Sequence, residues 1–437
     1  MTSSHRLHQK KGEGMLRIAL MALAGSLLLT TSALASGFGI FVQGAKGLGQ
    51  ANAVIAHAAG ASTVYFNPAL MPLLERPSGF EVGTTVVKSE RSFTSASTGA
   101  ETDGKDNTYF PSSLYYYRQL PQLEDVWFGL AVNSTFGLGT EWPTAWEGRY
   151  IATKNEVTTF NINPNVAWKM GNQWSAAVGL DALYFKLDSN RMIPAIFLIP
   201  GEPDPAQQAK GDTWALGFNA ALAWRPLEKL CLGLSYRSKF DINLNAGDLD
   251  VNFNNVSSAL APFLQNTTAA TKFTLPQQLT LGVAYDILPE LTLEVGARWE
   301  DWAQYGNTVV TFTNPVAGQP SDTILRDWKS TWAYNLGGEY RFSPRWSLLA
   351  GVLYSKTCVP DATFDPSIPD SDATLYTLGG AYTGGNWTFD FAYGLQDHTN
   401  RHKNNQINLP SVILGQPANG KYENVIHLVA ASVGYNF

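Results

Sequence analysis

From Phe80 to the end of the chain, hydrophobic residues recur with a period of two, and the connections between these runs alternate short and long. In Leu291-Thr-Leu-Glu-Val-Gly-Ala-Arg-Trp299, Leu291, Leu293, Val295, Ala297 and Trp299 fall on one face, and Thr292, Glu294, Gly296 and Arg298 on the other. Successive side chains of a strand point to opposite faces, so this segment is oily on one side and polar on the other. The split recurs at Leu230, Leu232, Leu234 and Tyr236 against Cys231, Gly233, Ser235 and Arg237, and at Trp387, Phe389, Phe391 and Tyr393 against Thr388, Asp390, Ala392 and Gly394. About fourteen strands are expected, near 80–92, 109–120, 124–137, 154–169, 173–190, 211–225, 229–243, 273–287, 290–306, 327–342, 345–357, 371–383, 386–398 and 421–437. Tight turns fall at Leu120-Pro-Gln-Leu-Glu124, Met170-Gly-Asn-Gln173, Arg225-Pro-Leu-Glu228, Ile287-Leu-Pro-Glu290, Ser343-Pro-Arg345 and Gly384-Gly-Asn386, and the other connections are long. An even strand count with short turns at one end and long loops at the other is the plan of an outer-membrane antiparallel β-barrel. Closure satisfies every backbone group without an edge, which lipid demands.

Composition narrows the alternatives. Charged residues are 15% of the 437, against about 25% in soluble domains, yet mean hydropathy is only −0.11. No run of about 20 apolar residues follows residue 35, so helical transporters are excluded. Hydrophobic residues at 45% and aromatics at 12% argue against disorder. With a net charge of −6 and no long basic run, nothing neutralises a phosphate backbone, and no nucleic-acid partner is expected. A soluble all-β secreted protein would have shorter strands and would lack the aromatics at strand ends, Trp168, Trp174, Trp224, Trp299, Trp346 and Trp387.

Arg6, Lys10, Lys11 and Arg17 precede an apolar stretch from Ile18 to Leu29 and then Ala33-Leu-Ala35, which reads as a signal peptide over residues 1–35. Met15 is an alternative start. Cys231 and Cys358 are read as unpaired after export. Residues 36–79 break the period-two rhythm: they are rich in Gly and Ala, nearly uncharged, and hold Phe38, Phe41 and Phe66. Outside a barrel those rings would face water, so the segment is expected to plug the lumen of a barrel spanning 80–437.

Several blocks stand in order along the mature chain: Ser36-Gly-Phe38, Gly47-Leu-Gly49, Asn67-Pro-Ala69, Phe136-Gly-Leu-Gly-Thr-Glu141, Asn161-Ile-Asn-Pro164, Leu234-Ser-Tyr-Arg-Ser-Lys239 and Val359-Pro-Asp-Ala-Thr-Phe-Asp365. With them the chain resembles the FadL family of outer-membrane transporters for long-chain fatty acids and aromatic hydrocarbons. The resemblance implies a fourteen-stranded barrel with an N-terminal hatch in the lumen, Asn67, Pro68 and Ala69 forming the hatch motif, and Phe38 at a high-affinity pocket. It implies Arg191 and, less directly, Arg326 as cations for a ligand head group; the other reading of both is a solvated charge at a loop base. Gly137 matches the kink in strand three where ligand leaves sideways, and a simple strand end is the other reading there.

The residues themselves fit an oily ligand. A long chain gains about 0.8 kcal/mol per buried methylene. Met192-Ile-Pro-Ala-Ile-Phe-Leu-Ile-Pro200 is an apolar run on an expected outer loop, with Ile196, Phe197 and Leu198 as capture residues. Loop 244–272 adds Leu249, Phe253, Leu260, Phe263 and Leu264. Oily loops mark a binding surface, or else the two loops pack together as a lid. An enzyme is not expected: His398 and His402 are not on a helix with further ligands, and no Gly-x-Ser-x-Gly elbow or phosphate-cradling loop occurs. No cofactor and no metal site are expected. A diffusion porin would have a charged, water-filled lumen. The expected partners are a long-chain fatty acid or another hydrophobic small molecule, outer-membrane lipid, and the barrel assembly machinery through the last strand ending at Phe437, with the barrel a monomer.

Overall fold

The computed structural model describes residues 37–41 and 43–437; the signal-peptide segment lies outside the described residues. Fourteen staves form one closed antiparallel barrel. They are β1 (Ser78–Ser95), β2 (Ser112–Leu120), β3 (Leu123–Asn133, resuming at Gly137–Glu141), β4 (Lys154–Met170), β5 (Trp174–Met192), β6 (Ala206–Leu227), β7 (Leu230–Arg237, resuming at Phe240–Asn254) and β8 (Thr267–Leu275 and Gln278–Leu288). The ring continues through β9 (Leu291–Glu300, with Thr308–Val316 above it), β10 (Gln319–Ile324 and Thr331–Arg341), β11 (Trp346–Ser355), β12 (Ala373–Gly384), β13 (Trp387–His398) and β14 (Gly420–Asn436). Closure is made by β1 on β14 in unbroken register from Gly79↔Asn436 to Ser95↔Gly420. At the seam Phe437 N–H donates to Ser78 O at 3.0 Å. All six expected tight turns join neighbouring staves, and no helix among the described residues is long and apolar enough to cross a membrane.

The oily face of each strand points outward. Leu216, Leu180 and Phe391 are 80%, 67% and 56% exposed, while the alternate positions Asp181, Glu294 and Asp390 are buried toward the lumen. An apolar exterior of this extent is stable against hydrocarbon and not against water. Ring pairs such as Trp174 on Trp224, at 5.1 Å, stand at the turn end of the belt.

One expectation is corrected here. Residues 244–272 are not a single loop: Phe240–Asn254 and Thr267–Leu275 pair as a hairpin above the belt. Below Ser238 the apolar side chains of β7 face outward; above it Phe240, Ile242 and Leu244 face inward and are buried. Outside the barrel the surroundings change from lipid to water there, so the oily face turns inside. Leu249, Phe253, Leu260 and Leu264 are buried with Ala195 in one cluster, and only Phe263 of that set is exposed. The two loops do pack together, as the lid reading supposed.

The N-terminal segment lies within the ring of strands. Its short helices, α1 (Ala45–Gly49) and α2 (Thr63–Phe66), and the 3-10 turn Pro68–Leu73 are too short to satisfy their own backbone groups. The inward polar face of the wall satisfies them instead. Glu294 accepts from the backbone N–H of Ile55, Ala56 and His57 at 2.6, 2.9 and 3.1 Å. Asn335 donates to Ala51 O, Thr377 to Gly49 O and Tyr115 to Gln43 O. Lys46 pairs with Glu339 at 3.0 Å. Inward glycines make room for this backbone: a Cβ on Gly233 would stand 2.0 Å from Ile55 O, and one on Gly337 2.1 Å from Gln50 O.

Candidate ligand channel

The break in β3 organises the site. Asn133 pairs with Asn161 and Gly137 with Thr158, so three residues, Ser134–Phe136, stand opposite two of β4. A bulge of this kind bends the strand. Phe136 turns into the lumen and is fully buried, its N–H held by Thr159 Oγ1 at 3.0 Å. The N-terminal tail then adds to the bulge: Ile40 N–H donates to Thr135 O at 3.0 Å, and Gly137 N–H to Phe38 O at 2.9 Å. Gly137 is therefore both the end of the kink and the tail's anchor. A Cβ there would meet Ile40 Cδ1 at 2.7 Å.

The wall is interrupted at the same height. The β2–β3 ladder stops at Leu114↔Val132. Above it Tyr109, which pairs with Val87 of β1, lays its ring against the backbone at Gly139. Ring packing replaces the ladder across the gap.

Phe38 is buried in an aromatic cage. Its ring centroid lies 4.9 Å from Trp302, 5.7 Å from Tyr305, 6.1 Å from Trp328 and 6.2 Å from Phe136. Just ahead of it Gly37 N–H donates to Asp370 Oδ2 at 3.2 Å, and Thr357 Oγ1 donates to the same oxygen at 2.6 Å. Burial pushes the Asp370 carboxyl up to about 7, against the pull of those two donors. Cys358 lies beneath Gly37, free and buried, and its thiol is pushed well above its ordinary value by burial and by the neighbouring Asp370. Between tail and wall is a cavity of about 310 Å³, bounded by Phe38, Ile40, Phe136, Gly137, Val87 and Tyr109.

The expected site residues distribute unevenly. Asn67, Pro68 and Ala69 are buried where the segment turns: Asn67 Nδ2 donates to Ile55 O at 2.7 Å and its Oδ1 accepts from Ala69 N–H at 3.1 Å. Arg326 stands beside the cage, 5.8 Å from the Trp328 ring, and its Nη1 is paired with Asp365 at 2.7 Å. Arg191 faces inward at the top of β5, where Gln207 and Asp322 hold it at 2.6 Å each; it does not line the cavity around Phe38. Of the loop residues, Ile196 and Phe197 are exposed, and Leu198 packs on the buried loop cluster. Sequence reasoning missed the cage, because it places Trp302 and Tyr305 within a strand over 290–306 and Trp328 within one over 327–342, whereas the strands run Leu291–Glu300 and Thr331–Arg341 and leave all three rings in the breaks beside them. It also missed Asp370, and Arg91 on the inward face of β1. The inward parity of β1 was the signal available for Arg91.

A closed barrel with its N-terminal segment bonded to the inward wall and an oily cavity at a wall gap is the architecture of an outer-membrane protein that moves hydrophobic compounds. The chain belongs to the outer membrane protein transport protein (OMPP1/FadL/TodX) family, whose model matches residues 26–437. It is 25% identical over 393 residues to a long-chain fatty acid transport protein of Escherichia coli O6:H1, covering 81% of this chain and 85% of that one. It is 23% identical over 421 residues to outer membrane protein P1 of Haemophilus influenzae, covering 86% and 87%. Among solved structures, a Pseudomonas aeruginosa FadL homologue superposes with a TM-score of 0.78 at 19% identity, over 92% of this chain and all of that one. The Pseudomonas putida toluene transporter TodX gives 0.71 at 15% identity, over 92% and 99%.

Proposed function

We propose that the protein takes up long-chain fatty acids across the outer membrane. Ligand is captured at Ile196 and Phe197, moves to the cavity beside Phe38, displaces the tail, and leaves sideways through the gap at Ser134–Gly137 into the membrane. In this reading residues 36–79 act as the hatch, with Asn67-Pro68-Ala69 as its fixed turn. The observation that carries the reading is the cavity itself, which joins the tail, the kink and the wall gap in one oily space of about 310 Å³. About 15 methylenes moved into such surroundings gain on the order of 10 kcal/mol, enough to draw a chain out of the aqueous outer layer. Polar groups at one part of the cavity, Ser89, Gln396, His398 and Asn424, suit a head group, which a plain hydrocarbon does not have. Aromatic hydrocarbons are the second reading, favoured by the cage of Trp302, Tyr305 and Trp328. The test is uptake of radiolabelled oleate, with toluene beside it, by cells lacking their own transporter. Oleate uptake that depends on the protein supports the first reading. Toluene entry without oleate entry overturns it in favour of the second, and steady single-channel ion conductance would overturn both in favour of a porin.

A further inference from the structure

Arg91 projects into the lumen from β1, on the parity of Glu81, Thr85 and Ser89, and lines the cavity that Phe38 and Ile40 bound. Its Nη1 donates to Gly139 O across the wall gap. Its Nε is buried with no partner, and no carboxylate among the described residues comes within ion-pair distance of it. The other arginines of the lumen and its loops are matched: Arg191 with Asp322, Arg237 with Asp181, Arg298 with Glu300, Arg326 with Asp365 and Arg401 with Asp361. The one carboxylate lining the cavity among the described residues, Asp370, is held by Gly37 and Thr357. A second void touching Arg91 is only about 10 Å³, too small for more than a water.

A guanidinium keeps its charge at any pH a protein meets, and burying it without a counter-charge is costly. That cost is tolerated where a ligand supplies the anion. With Nη1 committed to Gly139, the free edge is Nε with Nη2, the fork that receives both oxygens of a carboxylate. We propose that Arg91 is the head-group receptor of this channel: the carboxylate of a fatty acid docks on the Nε–Nη2 edge while its chain lies along Phe38, Ile40 and Val87. This rests on the fatty acid reading and deepens it. Arg191 and Arg326, each paired with its own carboxylate, are structural ion pairs in the resting state. Arg91 is a binding residue that separates acids from neutral hydrocarbons, and it sits on the strand beside the exit.

The experiment uses the mature barrel in lipid nanodiscs, with equilibrium binding of oleate and of its neutral methyl ester to the wild type and to Arg91→Met and Arg91→Lys. Assembly is checked by heat-dependent electrophoretic mobility. Arg91→Met is expected to weaken oleate binding roughly 10- to 100-fold, the value of losing hydrogen bonds to a charged group, with methyl oleate unchanged. Arg91→Lys keeps the charge, loses the fork and falls between. If Arg91→Met does not assemble, a drop for oleate alone in Arg91→Lys carries the proposal. Unchanged oleate binding in the assembled variants, or an equal loss for both ligands, overturns it while leaving the fatty acid reading intact. A wild type that binds the ester but not oleate overturns that reading, and this proposal with it.

Discussion

Replacing Phe38 by Ala should release the N-terminal tail from its pocket. The docked tail, residues 37–40, is held by the caged Phe38 ring and three hydrogen bonds: Gly37 to Asp370, Ile40 to Thr135 and Gly137 to Phe38. Truncating a buried Phe to Ala costs about 3–5 kcal/mol, and three hydrogen bonds at about 1 kcal/mol each add about 3. Fixing four residues of backbone costs about 4–8 kcal/mol. The balance favours docking by about 1 kcal/mol, which leaves about 15% of molecules undocked at any time. Without the ring the sign reverses and the undocked state predominates. Cys358 is a built-in reporter, since it is buried beneath Gly37. With Cys231 replaced by Ser, the rate at which a maleimide labels Cys358 measures the undocked fraction. Phe38→Ala is expected to raise that rate about 6-fold, the limit set by going from about 15% to full exposure. Oleate added to the wild type should raise it in the same direction. A folded Phe38→Ala barrel that labels no faster than wild type would refute the idea that this ring holds the tail.

Three further outcomes follow from the same contacts. In the docked state Asp370 is buried and its carboxyl is pushed up to about 7 in spite of the Gly37 donor, and release of the tail is expected to admit water and return it toward the ordinary carboxylate range. The docked state thus binds more protons in between, and raising the pH through 7 favours release; Cys358 labelling of wild type relative to Asp370→Asn should climb from pH 6 to pH 8, and a flat ratio counts against the linkage. Gly337→Leu places a side chain where Gln50 O already stands, so the segment is pushed from the lumen and planar-bilayer recordings should show steady ion conductance absent from wild type; a closed channel would mean that the segment shifts without leaving. Changing both Ile196 and Phe197 to Asp should raise the ligand concentration for half-maximal uptake and leave the maximal rate alone, and an unchanged concentration dependence would remove these exposed rings from capture.

The alternation of Leu291, Leu293 and Val295 with Thr292 and Glu294 already specified a two-faced strand. Repeated fourteen times with tight turns on one side, it specified a barrel. Periodicity reports the medium on each face of a strand, and that is a local property. For the same reason the reading faltered at Ser238, where the outer medium changes and the oily face of β7 turns inward. Phe38 could be assigned to a pocket by its place in the Ser36-Gly-Phe38 block, but the walls of that pocket could not be read. Trp302, Tyr305, Trp328 and Phe136 fall within expected strands, but in the structure they stand at three strand breaks far apart in sequence, and only closure of the ring brings them together. Gly233 could be placed on the polar face of its strand; its role and that of Gly337 in admitting the backbone of the N-terminal segment depends on a partner more than a hundred residues away. Charge matching is likewise a property of the assembled lumen. The sequence by itself determined the strand faces, the barrel and an oily, weakly charged N-terminal segment distinct from its strands. The tertiary structure decided which lumen arginines are neutralised by a carboxylate and that Arg91 is not, because ion pairing depends on distances that local sequence does not carry.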